Sequence, residues 1–378
     1  MTQQVQPPGD DDRYMARAIR LGRRGLYTTR PNPRVGCVLV RDGQIVGEGF
    51  HRKAGEPHAE PLAIQAAGGA ARGATAYVTL EPCCHQGRTP PCTEALIRAG
   101  VSRVVAAMQD PNPQVAGKGL AALELAGIRV ASGCQETQAA MLNPGFIKRM
   151  RTGRPYVRCK LAMSLDGRTA MADGESRWIT GSAARTDVHR LRARSDAIVT
   201  GLATVIADDP SLNVRLEAGQ LWDAGDQDEV PLPLRVVLDP RLEMPPDAGM
   251  TRLQGNTLAV CCEPRAESRE LLEQAGVEVV ELPGEGGRVS LNALLDFLGQ
   301  RQVNEVLIES GPTLAGAAVG EGLVDELVIY AAPHLMGDGA RGLLNLPGLA
   351  RMEDRIALEI LDLRMVGRDI RLTLKPEN

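Results

Sequence analysis

Apolar positions along the first half of the chain change their period several times. A helical spacing runs over residues 13–26. Two short apolar runs follow, 35–40 and 45–50, separated by Arg41-Asp42-Gly43-Gln44. Asp-Gly supplies the positive-φ pair of a tight turn, so two strands joined as a hairpin are predicted. An Ala-rich helix is expected over 58–71, a strand over 74–80, a helix over 93–99 and a strand over 101–108. A helix over 118–126 and a short strand over 128–131 complete this half. Strands alternating with helices after an opening hairpin predict a layered α/β fold with helices on both faces of a sheet.

Basic residues, Gly153 and Pro155 crowd residues 150–155, and a new apolar run starts at Tyr156. The domain boundary is placed there, giving 1–12 as a solvated tail, 13–150 as a first domain and 151–378 as a second. The second half repeats the alternation, with strands expected over 156–162, 197–200, 234–238, 257–261, 277–281, 305–308 and 326–331. The acidic, Pro-ended stretch 217–233 reads as a surface excursion.

Composition narrows the classes. The 378 residues are 43% hydrophobic and 24% charged, the balance of a soluble protein able to bury a large core. A net charge of −4 and only two Trp, five Tyr and three Phe argue against a nucleic-acid or anionic-membrane binder. Asp10, Asp11 and Asp12 interrupt any targeting segment, and no apolar run is long enough to span a bilayer, so a cytoplasmic protein is expected. Eight cysteines at this length suit ligands better than a disulfide scaffold.

The chemistry starts at His58-Ala59-Glu60, which opens a predicted helix. Glu81-Pro82-Cys83-Cys84-His85-Gln86-Gly87-Arg88-Thr89-Pro90-Pro91-Cys92 follows a predicted strand. One imidazole and two thiolates suit zinc and leave a fourth tetrahedral position for water, whose pKa the metal lowers. Glu60, two residues from His58, can shuttle protons without binding metal, as the His-x-Glu…Pro-Cys logic of zinc deaminases requires. Cys83 and Cys92 are farther apart than the Cys-x-x-Cys common there. A closed structural site would take a fourth ligand from Cys84 or His85, but it has no use for the carboxylate of Glu60. That carboxylate also speaks against a metal-stabilised binding module.

Beyond these ligands, Thr29-Arg30-Pro31-Asn32-Pro33-Arg34-Val35-Gly36-Cys37-Val38 and Gln109-Asp110-Pro111-Asn112-Pro113-Gln114-Val115-Ala116-Gly117-Lys118-Gly119 are further motifs. So are Lys160-Leu161-Ala162-Met163-Ser164-Leu165-Asp166-Gly167-Arg168 and Glu309-Ser310-Gly311-Pro312-Thr313-Leu314-Ala315-Gly316. With the ligand segments they make the chain similar, over nearly its whole length after the tail, to the bifunctional deaminase–reductase family of bacterial riboflavin biosynthesis. The long cysteine spacing is that family's own pattern, and Cys84 departs from it, standing where Ser or Thr is usual. The resemblance implies a cytidine-deaminase-like three-layer α/β/α domain followed by a dihydrofolate-reductase-like α/β domain. It assigns zinc to His58, Cys83 and Cys92, and proton transfer to Glu60. The implied first reaction is hydrolytic deamination of a phosphoribosylaminopyrimidine. Asn32 is either a substrate contact or the former of an Asx turn.

The second half has no Gly-x-Gly-x-x-Gly after its first strand, so a Rossmann reading is unsupported. Its signal is an apolar strand running into a small-residue turn at 309–317, where a helix N-terminus offers N–H groups to a phosphate. Arg192 and Arg215 lie outside any obvious pairing stretch and are either bidentate grips for a phosphate or solvated surface arginines. The resemblance implies NADPH-dependent reduction of a ribosyl to a ribityl group. It places Ala162, Trp178, Thr204, Asp208, Gly311, Pro312, Thr313, Leu314, Ala315, Gly316 and Ala317 at the cofactor. It places Ser176, Arg192, Leu212, Arg215 and Glu309 at the phosphosugar, with Lys160 and Asp166 as substrate-orienting candidates. It also implies a homodimer formed through the reductase domain.

Overall fold

Three aspartates open the first helix, α1 (Asp10–Arg23), where their charge opposes the positive end of the helix dipole. The computed structural model describes residues 10–87, 89–221 and 230–377. The expected tail over 1–12 is therefore corrected at its end, since Asp10, Asp11 and Asp12 are helical. Asp11 accepts two bonds from Arg103 at 2.9 and 2.7 Å and one from the Tyr77 hydroxyl at 2.7 Å, which ties that turn to the sheet. Residues 1–9 lie outside the described residues. The chain packs as two units that divide between Gly153 and Arg154. Residues 150–152, expected in the connection, are still helical.

In the first unit, β1 (Gly36–Arg41) and β2 (Gln44–Phe50) form the predicted hairpin. After them come α2 (Ala59–Ala67), β3 (Thr75–Val78), α3 (Cys92–Ala99), β4 (Arg103–Ala106), α4 (Lys118–Leu125) and β5 (Arg129–Ser132). Two helices absent from the sequence expectation, α5 (Glu136–Ala140) and α6 (Pro144–Thr152), close the unit. The sheet order is β2-β1-β3-β4-β5, antiparallel around β1 and parallel from β3 onward. Alternate residues of β1 feed two cores. Val38 and Val40 pack with Tyr14, Met15, Ile19 and Phe146 on one face, and Cys37 and Leu39 pack with Ala63, Leu96 and Leu123 on the other.

Two glycines on β2 set the height of α2, and a Cβ at the first, Gly47, would lie 2.2 Å from the Ala63 carbonyl oxygen. A Cβ at Gly49 would lie 2.3 Å from the Ala59 carbonyl oxygen, so only glycine lets the helix start lie on the strand. That contact fixes the backbone immediately after His58.

The second unit opens with β6 (Tyr156–Ser164), β7 (Arg168–Ala170), α7 (Ser182–Arg194), β8 (Ala197–Gly201), α8 (Leu202–Asp208) and α9 (Ala218–Leu221). It continues with β9 (Leu234–Leu238), β10 (Thr257–Cys261), α10 (Ala266–Gln274), β11 (Glu278–Glu281), β12 (Gly284–Glu285) and β13 (Arg288–Val289). Then follow α11 (Leu291–Gln300), β14 (Glu305–Glu309), α12 (Pro312–Gly320), β15 (Glu326–Ala332), β16 (Arg341–Gly342), β17 (Leu358–Val366) and β18 (Asp369–Pro376). The main sheet has nine strands in the order β11-β10-β9-β8-β14-β6-β15-β18-β17. Its pairings from β11 through β15 are parallel, and the last two strands are antiparallel. The carboxyl ends of β6, β8 and β14 therefore share one edge, where open α/β sheets bind ligands. Of the excursion expected over 217–233, residues 222–229 lie outside the described residues.

Candidate active sites

His58 is the N-cap residue of α2, Cys92 is the first residue of α3, and Cys83 lies in the segment between β3 and α3. Their donor atoms fall within 4.8 Å of one another. The His58 Nδ1 lies 3.6 Å from the Cys83 sulfur and 3.3 Å from that of Cys92. Nε2 of the same ring is 3.3 Å from the Thr89 hydroxyl, so Nδ1 is the nitrogen presented to a metal and Thr89 holds the other side. Among the described residues neither Cys84 nor His85 joins the cluster.

The donor chemistry fits a divalent ion. The Cys83 thiol is pulled well below its usual range by hydrogen bonding from Cys92 and then from His58, against burial. Cys92 is pushed up, first by that same bond to Cys83 and then by burial. Two thiols this close ionise together only when a cation balances them. Glu60, 3% exposed, adjoins them. Burial and then the negative charge of Cys83 raise its carboxyl to about 7, which suits a group that both takes and gives a proton near neutral pH.

Asn32 lies beside this cluster through a residue that sequence reasoning missed. Its side-chain amide is 3.1 Å from Nε2 of His51, whose ring meets that of His58 edge-on at 5.0 Å. Burial holds His51 down at about 4 despite the Pro57 carbonyl 3.2 Å from Nδ1. The neutral ring therefore donates from Nδ1 to Pro57 and accepts from Asn32 at Nε2. No motif marks a lone histidine at a strand end, which is why His51 gave no signal.

Glu81, next to Pro82-Cys83, is a second residue that sequence reasoning left without a role. Its carboxylate, 3% exposed, accepts backbone N–H bonds from Asp110 at 3.1 Å, Gly117 at 2.9 Å, Gly119 at 2.9 Å and Leu120 at 3.2 Å. The Gln109–Gly119 motif is thereby tied to the cysteine segment.

In the second unit the β14–β6 register sets Glu309 opposite Lys160 at the carboxyl ends of both strands. Burial lowers Lys160, Glu309 opposes that shift and Arg192 adds to it. Arg192 is not free to grip a phosphate with both arms. Its guanidinium forks onto Glu309 at 2.6 and 2.9 Å and donates to the Asn213 carbonyl at 3.0 Å. Arg215 is exposed.

Ala162 is half-buried near the end of β6. Thr204 and Asp208 stand four residues apart on α8 and so share a face. Arg177, between Ser176 and Trp178, donates to the Asp208 carbonyl at 2.5 Å and brings that segment to α8. Trp178 is 66% exposed, with the Arg185 guanidinium 4.6 Å from its ring centre.

The side chains or Cα positions of four expected contacts, Asp166, Leu212, Ala315 and Gly316, are engaged within the fold. Both oxygens of Asp166 are engaged, by the Ser164 hydroxyl at 2.5 Å and by the N–H groups of Met336 at 3.1 Å and Gly337 at 2.8 Å. It anchors a turn, and the Ser164 bond first among these holds its carboxyl near 2. Leu212 buries its side chain in a hydrophobic cluster, leaving only its backbone to meet a ligand. In the 311–317 turn, Ala315 is core, and a Cβ at Gly316 would lie 2.1 Å from the Asn345 carbonyl oxygen. Gly311, Pro312, Thr313 and Leu314 form the accessible first turn of α12, and Ala317 is half-buried beyond them.

A family model described as the cytidine and deoxycytidylate deaminase zinc-binding region matches residues 8–108, and one described as the RibD C-terminal domain matches residues 155–372. The riboflavin biosynthesis protein RibD of Escherichia coli K12 is 52% identical over 366 residues, covering 96% of this chain and 99% of that protein. The Haemophilus influenzae protein of the same name is 50% identical, covering 96% of this chain and 97% of its own length. The solved structure of Acinetobacter baumannii RibD, form 1, superposes with a TM-score of 0.90 at 49% identity, covering 98% of this chain and all of that one. A Thermotoga maritima structure, described as a diaminohydroxyphosphoribosylaminopyrimidine deaminase/5-amino-6-(5-phosphoribosylamino)uracil reductase, gives 0.83 at 29% identity over 98% of this chain. A zinc-binding deaminase unit followed by an NADPH-dependent reductase unit, matched along nearly the entire length, places this chain in the bifunctional deaminase–reductase family of riboflavin biosynthesis.

Proposed function

We propose that His58, Cys83 and Cys92 hold the zinc of the deaminase unit and that Glu60 is its proton carrier. The substrate is 2,5-diamino-6-(5-phosphoribosylamino)pyrimidin-4-one, which loses an exocyclic amine as ammonia to give 5-amino-6-(5-phosphoribosylamino)uracil. Zinc supplies the Lewis acidity that makes water a nucleophile at neutral pH. Glu60 takes a proton from the attacking water and returns it to the departing amine. The Asn32 amide, steadied by His51, faces the pyrimidine edge. The convergence of three donors within 4.8 Å beside a buried carboxylate carries this reading.

In the reductase unit, NADPH supplies the hydride that converts ribosyl to ribityl. The accessible first turn of α12, with Ala162, Trp178, Thr204 and Asp208, receives that cofactor. Lys160 and the Arg192–Glu309 pair face the sugar, and Arg215 takes the phosphate. Ser176 and the Leu212 backbone complete the wall. The fully engaged carboxylate of Asp166 supports a turn-holding role in place of substrate contact.

The test is incubation of the full chain with the diaminopyrimidine ribotide, with and without NADPH. Ammonia is expected in both cases and NADPH consumption only after deamination. Ammonia release that requires NADPH, or NADPH loss without prior ammonia release, contradicts the assignment.

A homodimer through the reductase unit is part of the same proposal. β17 is a sheet edge whose residues are exposed from Leu358 through Met365. The register slips between Ile360 and Asp362, so Leu358, Ile360, Leu363 and Met365 all fall on the face shared with Leu372 and Leu374. An apolar sheet face at an open edge suits a second copy of the chain. None of the eight cysteines is paired in a disulfide, the state that a reducing cytoplasm maintains, and no described helix is long and apolar enough to cross a membrane.

A further inference from the structure

The reductase site contains an imidazole that neither the motifs nor the assigned contacts use. His189 lies on α7, three residues before Arg192, and so on the same helix face. Both side chains reach one short segment. Arg192 donates to the Asn213 carbonyl at 3.0 Å, and the backbone N–H of Arg215 donates to Nδ1 of His189 at 3.2 Å. The segment from Asn213 to Arg215 is therefore gripped at both ends from a single helix. Arg215 is exposed and long, so the direction in which it leaves the backbone decides where its charge sits.

We propose that His189 is a positioning residue of the reductase. By accepting the Arg215 N–H it fixes the backbone that carries this arginine, and so aims the guanidinium at the substrate phosphate beside the Arg192–Glu309 pair. The inference rests on the reading that Arg215 contacts the phosphosugar. Accepting at Nδ1 requires an unprotonated ring nitrogen. Burial first, then the charges of Arg192 and Arg215, lower His189 to about 4 against Glu309 and the Asn213 carbonyl, which keeps the ring neutral near pH 7. Asparagine places an amide oxygen close to where Nδ1 lies and can accept the same bond, whereas alanine cannot.

The experiment is steady-state NADPH oxidation by full-length His189→Ala, His189→Asn, Arg215→Ala and His189→Ala/Arg215→Ala, with 5-amino-6-(5-phosphoribosylamino)uracil as substrate. His189→Ala is expected to raise KM for the ribotide about tenfold, the equivalent of one lost hydrogen bond. Its KM for NADPH and its kcat should stay within about threefold of the parent. His189→Asn should recover most of the loss, and the double variant should bind the ribotide no worse than Arg215→Ala alone. If Arg215→Ala raises KM while His189→Ala does not, or if asparagine does no better than alanine, the positioning role is wrong and the phosphate reading stands. Multiplying penalties in the double variant also overturn it. If Arg215→Ala leaves KM unchanged, the phosphate reading itself fails and the inference falls with it.

Discussion

Replacing Glu81 with glutamine removes one acceptor oxygen from a buried carboxylate that serves four backbone N–H groups. Two of them, Gly119 and Leu120, converge on Oε1, and the other two, Asp110 and Gly117, converge on Oε2. A glutamine amide keeps one oxygen and sets an NH2 against the other pair, so two donors lose their acceptor whichever way it turns. Each buried donor left unpaired costs about 1–3 kcal/mol, and the remaining bonds weaken as the charge disappears. A loss of about 3 kcal/mol follows for the deaminase unit. At about 2–4 °C per kcal/mol for a unit of this size, its melting transition should fall by about 6–12 °C. Scanning calorimetry of the zinc-loaded full chain measures this directly, with the reductase transition as an internal reference. A fall of less than about 2 °C would show that the 109–120 segment finds other partners, and the reasoning about this carboxylate would be wrong.

Three further outcomes follow from the geometry. Cys84→Ser should retain one zinc per chain by metal analysis, because Cys84 lies outside the three-donor cluster, and loss of metal would show that the wrong thiol was assigned. Ile360→Asp combined with Leu363→Asp should convert the proposed dimer to a monomer in sedimentation, since both residues sit on the exposed apolar face of β17; a parent that sediments as a monomer, or an unchanged mass, would contradict that proposal. His189 is held at about 4 in the folded chain against 6.5 for an unperturbed imidazole, so the unfolded chain binds the proton first. Its contribution is therefore complete above pH 6.5 and is lost as the pH falls toward 4. Denaturant titrations should show the parent losing stability relative to His189→Asn across that window, and parallel curves would contradict the assigned environment.

The His58, Cys83 and Cys92 cluster was readable in the sequence because its residues are local. His58 and Glu60 are two residues apart, Cys83 lies in one strand-to-helix connection, and Cys92 opens the helix that follows it. Periodic strands were equally legible, and the limits 234–238 and 257–261 agree with β9 and β10. What escaped was long-range or phase-shifted. Arg192 reads as free along the chain because its partner, Glu309, lies 117 residues away. The hairpin of β17 and β18 was missed because a bulge breaks the alternation and leaves apolar residues on an open edge, where neither the buried nor the half-buried strand pattern applies. Asp166 matched a family motif, but its oxygens are used by a turn whose other side comes from Met336 and Gly337. Motif position alone does not reveal whether a carboxylate is already engaged.

Two independent chemistries on one chain are tested most directly with Glu60→Gln. The variant should bind zinc at the parent level, release no ammonia from the diaminopyrimidine ribotide, and still oxidise NADPH at the parent rate when given 5-amino-6-(5-phosphoribosylamino)uracil. Ammonia release that survives the substitution, or equal loss of both activities with zinc retained, would contradict it.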